Sequence, residues 1–355
     1  MYIYNNFIIE FFDKMEIFIY KSKYIMNMTD STDLKLIYEL NRDCRQTHTA
    51  LGKKLRISKQ VVSYRISQLE KKGIIKSYHA LIDWRKLGYN AIRVYLKWHN
   101  ITPEIEEHIY QEIKKDPFFM WTVKFEGDID IGFYLWVKSI PEFSEKWFSF
   151  LTKYRKYILR QEIYESVNMV HYPMKPLIEK YEVEEKIIGN EETISYDKTD
   201  YEILKIVTEN GQTPIVEIAK KIKLTPKAAL YRLKKLERNG IILGYNALVD
   251  TNKLGYLFYK IDFYLNDISH IKEMFQFAKQ HKNIVYRMTT IGGPDFEIEA
   301  MVKDVTDMKK LTNEIRAKFS DFIEFSVFRR FEYTIKQVYL PGEHIGKQMA
   351  LYSTN

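Results

Sequence analysis

The feature that most constrains this chain is a repeat within its own sequence. Residues 32–89 align with residues 199–256 at a constant shift of 167 positions, and no gap is needed over the 58 aligned positions. At 19 of these positions the two copies are identical. Self-similarity over such a length indicates that one structural unit occurs twice. The 355 residues are therefore expected to form two copies of the same architecture.

Each copy begins with three segments in which apolar residues recur at helical spacing. In the first copy these residues are Leu36, Ile37, Leu40, Leu51, Leu55, Val62, Ile66 and Leu69, and in the second they are Ile203, Leu204, Val207, Ile218, Ile222, Ala229, Leu233 and Leu236. Ser58 and Thr225 are suited to cap the third helix, and Pro226 suits its first turn. Gly73 and Gly240 fit the position after its end, where φ is often positive.

The remainder of each copy predicts one β wing and then an α/β domain. Residues 74–83 and 241–250 alternate enough to form the wings. The first α/β domain has predicted strands at 92–98, 118–125, 129–137 and 157–167 and helices at 103–115 and 141–154, and the second has strands at 258–265, 284–290, 296–302 and 323–331 and helices at 271–280 and 305–319. Both follow the ferredoxin-like order βαββαβ. The predicted fold class is α+β, with two winged helix-turn-helix domains alternating with two ferredoxin-like domains.

The charge distribution favours double-stranded DNA as a partner of the helical segments. Residues 30–88 contain 13 lysines and arginines against 6 acids, and residues 198–255 contain 11 against 6. The net charge of the whole chain is only +8, so positive charge is concentrated in these segments. The last helix of a helix-turn-helix fits the major groove, where basic groups contact phosphate. A basic helix face that is merely solvated, or that contacts another protein, is the alternative.

The residues expected to point outward from the third helices are the candidate DNA contacts. They are Lys59, Gln60, Ser63, Tyr64 and Ser67 in the first copy and Lys227, Ala228, Tyr231, Lys234 and Lys235 in the second. Gln60 is suited to adenine and Lys59 to guanine or phosphate, so the first copy is expected to specify more sequence than the second. Alternatively, the two tyrosines pack on the helix flank. Likewise, Arg65 and Arg232 either contact phosphate or brace Glu70, Glu237 or another acid.

These motifs resemble the leucine-responsive/asparagine-operon regulator (Lrp/AsnC) family. The resemblance rests on Arg-x-x-x-Leu-Glu-x-x-Gly-Ile-Ile at 65–75 and 232–242 and on the Tyr-x-Ala…Leu-Gly segments that follow at 78–88 and 245–255. It implies that the α/β domains are sensor (RAM) domains that dimerise, assemble further and bind small effectors, often amino acids. The effector site implied by the family's Gly-x-x-Asp turn comprises Gly127, Asp128, Asp130, Gly292, Gly293 and Asp295. A tight hairpin turn is the alternative interpretation of the same residues.

A typical member of this family has one repeat, whereas this chain has two unlike ones. The hypothesis is that the two sensor domains pair within the chain, so that one protomer contacts two half-sites, and that such chains form homo-oligomers. Siroheme decarboxylases resemble the same two-part architecture, so an enzyme of that kind is one alternative function. A non-specific architectural DNA-binding protein is another. No catalytic residue, cofactor or metal ligand is predicted. The single cysteine, Cys44, and the absence of a signal-peptide pattern fit a cytoplasmic protein.

The predicted domain boundaries follow from the repeat. They are an N-terminal extension at 1–29, helix-turn-helix domains at 30–88 and 198–255, sensor domains at 89–176 and 256–340, an acidic solvated linker at 177–197 and a C-terminal tail at 341–355. The extension is interpreted either as a helix used in packing or as an over-long start, with translation beginning at Met26 or Met28. Charged residues within its apolar stretch argue against a membrane span.

Overall fold

The computed structural model describes residues 29–189 and 192–342, and it has the predicted α+β class. The predicted extension before residue 29 and the tail beyond residue 342 lie outside the described residues. In chain order the elements are α1 Ser31–Arg42, α2 His48–Leu55, α3 Lys59–Lys71, β1 Ile75–Ile82, β2 Asn90–Trp98, α4 Pro103–Lys115, β3 Phe119–Glu126, β4 Ile131–Val137, α5 Ile140–Tyr154, β5 Ile158–His171, β6 Lys186–Ile188, α6 Lys198–Glu209, α7 Ile215–Lys221, α8 Pro226–Arg238, β7 Ile242–Val249, β8 Leu257–Leu265, α9 Ile271–Gln280, β9 Ile284–Ile291, β10 Phe296–Val302, α10 Val305–Phe319 and β11 Ile323–Gln337.

The third helix of each helix-turn-helix unit begins and ends as its sequence predicts. The Ser58 side chain accepts a hydrogen bond from the backbone N–H of Val61 and thereby caps α3. Thr225 caps α8 in the same way, with Pro226 in the first turn. Gly73 and Gly240 follow these helices with φ of +64° and +68°, a conformation that side chains rarely adopt. The capping predictions are therefore confirmed.

The strands predicted as wings pair with each other. β1 and β7 form an antiparallel two-stranded ribbon in which His79 lies opposite Asn246. Each copy thus contributes one strand rather than a wing of its own, a pairing that the sequence analysis did not predict. The ribbon also joins the helical units, because Cys44 N donates to Tyr245 O at 2.8 Å and Gly211 N donates to Tyr78 O at 2.9 Å.

Both α/β domains have the ferredoxin-like topology. The first forms a four-stranded sheet in the order β5-β2-β4-β3, and the second forms the order β11-β8-β10-β9. Helices α4 and α5 pack on one face of the first sheet around a core that includes Val94, Phe133 and Trp147. Helices α9 and α10 cover the equivalent face of the second sheet around Ile261, Ile298 and Leu311.

The two sheets join into one closed ring. β3 pairs with β11 and β5 pairs with β9, both antiparallel. Because β2 also pairs with β5, the eight strands form a barrel whose interior is the face of each sheet that is turned away from the helices. The pairing of the two α/β domains within one chain, a hypothesis from the sequence, is present in the structure.

The interior of the barrel holds buried charges contributed by both domains. The fully buried guanidinium of Arg93 donates to both carboxylate oxygens of Glu297, at 2.6 and 2.7 Å. Lys260 Nζ lies 2.8 Å from the same carboxylate. Arg329 donates to Asp262 at 2.5 Å. We call Arg93, Lys260, Asp262, Glu297 and Arg329 the interior charge network.

Two buried lysines connect each α/β domain to a helix of the other. Lys175, which follows β5, donates to the backbone oxygen of Lys279 at 2.9 Å near the end of α9. Lys336 in β11 donates to the backbone oxygens of Ile113 and Asp116 at the end of α4, at 3.0 and 2.5 Å. Cations stabilise the carbonyl end of a helix. Burial lowers the pKa of Lys175 to about 7 and that of Lys336 to about 8.

The stretch predicted as a solvated linker is docked against the rest of the chain. It contains β6, which pairs with β5. Arg42 forms an ion pair with Glu182 at 2.5 Å and another with Glu184. Lys186 Nζ donates to Asn246 Oδ1 of the ribbon at 2.9 Å. The stretch is therefore docked by β6 and by these ion pairs, whereas the side chains of Glu182 and Glu184 stay 73% and 41% exposed, so their prediction as solvated acids is not contradicted. No helix in the described part of the chain has the length and apolar composition to cross a bilayer.

The interior charge network predicts a large effect of removing one of its charges. Glu297→Gln removes the carboxylate that pairs with buried Arg93, while Lys260 keeps its ion pair with Asp262. We expect the free energy of unfolding, measured by urea titration, to fall by about 3 kcal/mol, because a buried charge that loses its partner is not compensated by solvent. Glu126→Gln removes the exposed partner of Arg330 at the β3–β11 seam. This control should cost less than about 1 kcal/mol. Equal losses in the two variants would contradict the prediction.

Glu299, also inside the barrel, predicts a pH dependence. Burial, reinforced by nearby Glu297, raises its pKa from 4.5 to about 8. The folded chain therefore holds an extra proton between these values, and the free energy of unfolding falls as the pH rises through that window. Glu299→Gln should remove this loss and be more stable than the wild type at about pH 8 by on the order of 4 kcal/mol, with little difference near pH ~4.5. Urea titrations at both pH values test this, and an unchanged pH dependence would count against it.

Candidate nucleic-acid interface

The outward face of α3 is formed by the residues that its sequence predicts. Val62, Ile66 and Leu69 are buried in the core. The candidate contacts Lys59, Gln60, Ser63 and Tyr64 are exposed, and Ser67 is half-buried. They follow one another along the first part of the helix, which is the part that a helix-turn-helix presents to base edges.

The outward face of α8 differs from that of α3 in chemistry. Ala229, Leu233 and Leu236 are buried in the core. Of the candidate contacts, Lys227, Tyr231, Lys234 and Lys235 are exposed, and Ala228 is half-buried. Lys234 Nζ lies 2.7 Å from the Glu237 carboxylate of the same helix. This face presents ammonium groups and few groups able to discriminate bases.

The two exposed tyrosines take the same position in the two copies. The exposed fraction is 66% for Tyr64 and 64% for Tyr231. The alternative that they pack on the helix flank is therefore wrong. A phenol ring held outward on a basic helix face can contact a sugar, a phosphate or a base.

Arg65 and Arg232 have a structural role in the described chain. Arg65 donates to Asp30 and Asp33 at 2.8 Å each. Arg232 donates to Asp197 and Asp200 at the same distances. The backbone N–H of Asp200 and the Arg232 guanidinium lower the pKa of the Asp197 carboxyl.

The acids named in the sequence analysis have other partners. Glu70 accepts from Tyr78 Oη at 2.7 Å, and Glu237 accepts from Tyr245 Oη at 2.8 Å. The two arginines therefore brace acids, as one alternative predicted, but these acids lie at the start of α1 and α6 and are not Glu70 or Glu237. Each arginine ties the third helix of its unit to the first.

Two basic residues of this surface escaped the sequence analysis. Arg56 and Lys223 lie in the turns before α3 and α8, and both have φ of +57°. Their side chains are exposed beside the outward faces. The turns close through Ile57 N to Gly52 O and Leu224 N to Ala219 O, each at 3.0 Å. The sequence signal that could have identified them is a basic residue at equivalent positions of both copies. The analysis of apolar spacing takes no account of basic residues.

The predicted effector turns make their contacts inside the chain. Burial alone would raise the pKa of the Asp128 carboxyl, but hydrogen bonds from Arg329 and Arg160 lower it to about 2. Asp130 accepts from Trp98 N at 2.7 Å, and Asp295 accepts from Leu265 N at 2.8 Å.

The glycines of these turns have the conformations that glycine favours. Gly127 has φ of +143° and Gly292 has φ of +82°. A Cβ on Gly293 would lie 2.6 Å from the ring of Tyr164. These contacts account for the turns as structure, and the effector site stays a prediction. Within the described ranges no group of three or more His, Cys, Asp or Glu is arranged to hold a metal ion.

Two segments of the chain match a known DNA-binding domain. A model described as a winged helix-turn-helix DNA-binding domain matches residues 29–76 and again 196–242. An uncharacterized HTH-type transcriptional regulator of Pyrococcus furiosus is 32% identical over 130 residues, which are 35% of this chain and 83% of that protein. The leucine-responsive regulatory protein of Escherichia coli is 30% identical over 121 residues, or 33% of this chain and 74% of its own length. The chain belongs to the Lrp/AsnC family.

A solved structure extends the likeness over nearly the whole chain. The siroheme decarboxylase NirDL superposes with a TM-score of 0.57, covering 88% of this chain and 94% of its own. The identity is 14%, so this match concerns the fold. It shows that the arrangement of two helix-turn-helix units and two ferredoxin-like domains also occurs in another protein.

The contacts of Arg65 predict that its substitution lowers stability but not DNA affinity, whereas substitution of Lys59 lowers DNA affinity but not stability. Arg65→Met removes its hydrogen bonds to Asp30 and Asp33 and should lower the free energy of unfolding by about 1 kcal/mol. Affinity for DNA should change less than about twofold under salt conditions where the protein stays folded. Lys59→Met should show the opposite pattern. Chemical denaturation and fluorescence anisotropy measure the two effects, and a DNA defect in Arg65→Met without loss of stability would overturn the structural role.

Proposed function

We propose that this protein is a sequence-specific DNA-binding regulator of transcription in which a single chain brings two recognition helices to one duplex. The observation that carries the proposal is the pair of outward faces on α3 and α8, both basic and both exposed, in a chain whose two copies are held together by the ribbon and the barrel. The family relatives named as transcriptional regulators support the same class. Phosphate contacts come mainly from the lysines of α8, and base contacts come mainly from Gln60, Lys59 and Ser63 on α3.

We infer that an amino acid binds near the turns at 127–130 and 292–295, where glycines allow its carboxylate to approach backbone N–H groups. An ammonium group reaches Asp128 only by competing with Arg329 and Arg160. Association of chains into homo-oligomers, detectable by analytical ultracentrifugation, is part of the same proposal.

The effector proposal is tested by thermal unfolding with each common amino acid in turn. A ligand that binds the folded state raises the unfolding midpoint by an amount that grows with its concentration. At least one amino acid should do so, and Gly292→Val should abolish the effect. If none raises the midpoint at millimolar concentration, the amino-acid effector is excluded, while the DNA proposal is untouched.

The DNA proposal is tested by fluorescence anisotropy of the full chain on DNA from upstream of its own gene and on scrambled DNA. A preference of about a hundredfold or more for the first, with affinity falling steeply between about 50 and 200 mM salt, is expected. Equal salt-sensitive binding to both would favour a non-specific architectural protein. No binding at low salt would exclude both, and absorbance titration with a tetrapyrrole would then test the enzyme alternative.

Variants on the two helices should affect different parts of this binding. Gln60→Ala removes an amide suited to adenine and should weaken binding to the preferred DNA about tenfold, with scrambled DNA unaffected. Lys227→Ala should weaken both alike and reduce the slope of log K against log salt by about 1. Lys309→Ala removes another exposed lysine, on α10, and is the control, which should change binding to neither DNA. Loss of discrimination in Lys227→Ala alone would contradict the proposed roles.

A further inference from the structure

We propose that the protein binds a directional, non-palindromic DNA site in one fixed orientation, with α3 on one half-site and α8 on the other. The inference rests on the proposed function and goes beyond it, since a regulator with two equivalent helices would bind a palindrome in either direction. Three observations carry it. They are the unlike pairing of the α/β domains, the unlike contacts between the helical units, and the unlike chemistry of the two outward faces.

The interior charge network makes the two α/β domains complementary rather than alike. Tyr95 and Asp262 occupy equivalent positions, and the residues opposite them on the neighbouring strands are Gly132 and Glu297. The carboxylate that neutralises Arg93 therefore has no counterpart in the first domain. If two first domains paired, each would bury Arg93 without Glu297, which strongly disfavours such a pair.

The second domain is equally dependent on the first. Arg329 donates to Asp128 at 2.8 Å and to Glu162 at 3.1 Å, and both acids belong to the first domain. By strand register Arg329 is equivalent to Tyr164, and the residue equivalent to Glu162 is Val327. A pair of second domains would therefore bury Arg329 without the Glu162 carboxylate. Every barrel thus contains one domain of each kind, and every barrel carries one α3 and one α8.

The helical units contact each other through residues that also differ between the copies. Arg45 Nε donates to Gly211 O at 2.5 Å. Its equivalent in the repeat is Gln212, whose side-chain amide donates to Cys44 O at 2.8 Å. These contacts, together with the ribbon, fix the two units relative to each other without making them interchangeable.

The outward faces then assign a different role to each half-site. On α3 the groups Gln60, Ser63 and Ser67 donate or accept hydrogen bonds at base edges. At the equivalent positions α8 has Lys227, Leu230 and Lys234. The lysines of α8 are assigned to phosphate, and such contacts carry no sequence information. The α3 half-site is therefore expected to carry most of the sequence information, and the α8 half-site to contribute affinity.

The single native cysteine makes a direct test of orientation possible. Cys44 is buried, and burial raises the pKa of its thiol to about 12, so it does not compete for a thiol reagent. Thr49→Cys on α2 and Val216→Cys on α7 place exposed thiols at equivalent positions of the two copies. Each variant is labelled with an iron chelate that cleaves nearby DNA. The substrate is the full-length protein's own preferred duplex, selected from a random library, and each labelled protein must bind it within about twofold of the unlabelled chain.

The cleavage pattern decides the proposal. We expect the label on Thr49→Cys to cut one half of the site and the label on Val216→Cys to cut the other, each by at least about tenfold over the opposite half. Base substitutions should weaken binding mainly in the half cut from Thr49→Cys. If each label cuts both halves equally, the fixed orientation is wrong although the protein still binds DNA specifically. If the library yields no preferred duplex, the proposed function itself fails and the inference with it.

Discussion

The pairing of β3 with β11 and of β5 with β9 is the interaction on which the rest of the structure depends. Each ferredoxin-like sheet has two edges, and an open edge is a site for unwanted association. Here both edges of each sheet are occupied by the other domain of the same chain. Closing the ring also turns the polar face of each sheet inward, which is why that face needs compensating charges from both domains.

The consequences of this closure reach the helical units at one end of each domain. β1 and β7 can pair because the barrel holds the two copies side by side. The first helix of each unit contacts the ribbon strand of the other copy, and Lys175 and Lys336 each cap a helix across the domain boundary. Cross-domain contacts of this kind make the chain one unit, in which neither copy is complete alone.

The local elements of this fold were predictable from sequence, whereas the pairings between copies were not. The helices Pro103–Lys115, Ile271–Gln280 and Val305–Phe319 have the predicted bounds, since their caps and periodicity are local. By contrast, β5 and β11 continue to His171 and Gln337, beyond the predicted 167 and 331. The added residues pair with strands far away in the sequence, where periodicity gives no information.

The barrel interior was missed for a related reason. In β2 the charged residue Arg93 alternates with Ile92 and Val94, a pattern that normally indicates one solvated face. The face is buried instead, because a second sheet covers it. On the outward helix faces, prediction succeeded for the core positions and for exposure. The positions of Arg65 and Arg232 required the structure, since their partners lie on another helix.

The closed ring within one polypeptide also changes how the regulator responds to dilution. Two separate subunits dissociate as their concentration falls, so a dimeric DNA-binding protein loses its paired form when few copies are present. Here the partner domain is covalently attached, and its effective concentration is set by the chain itself. The paired form is therefore populated equally at one copy per cell and at a thousand. At concentrations too low for whole chains to associate, occupancy of a DNA site should then rise in simple proportion to protein.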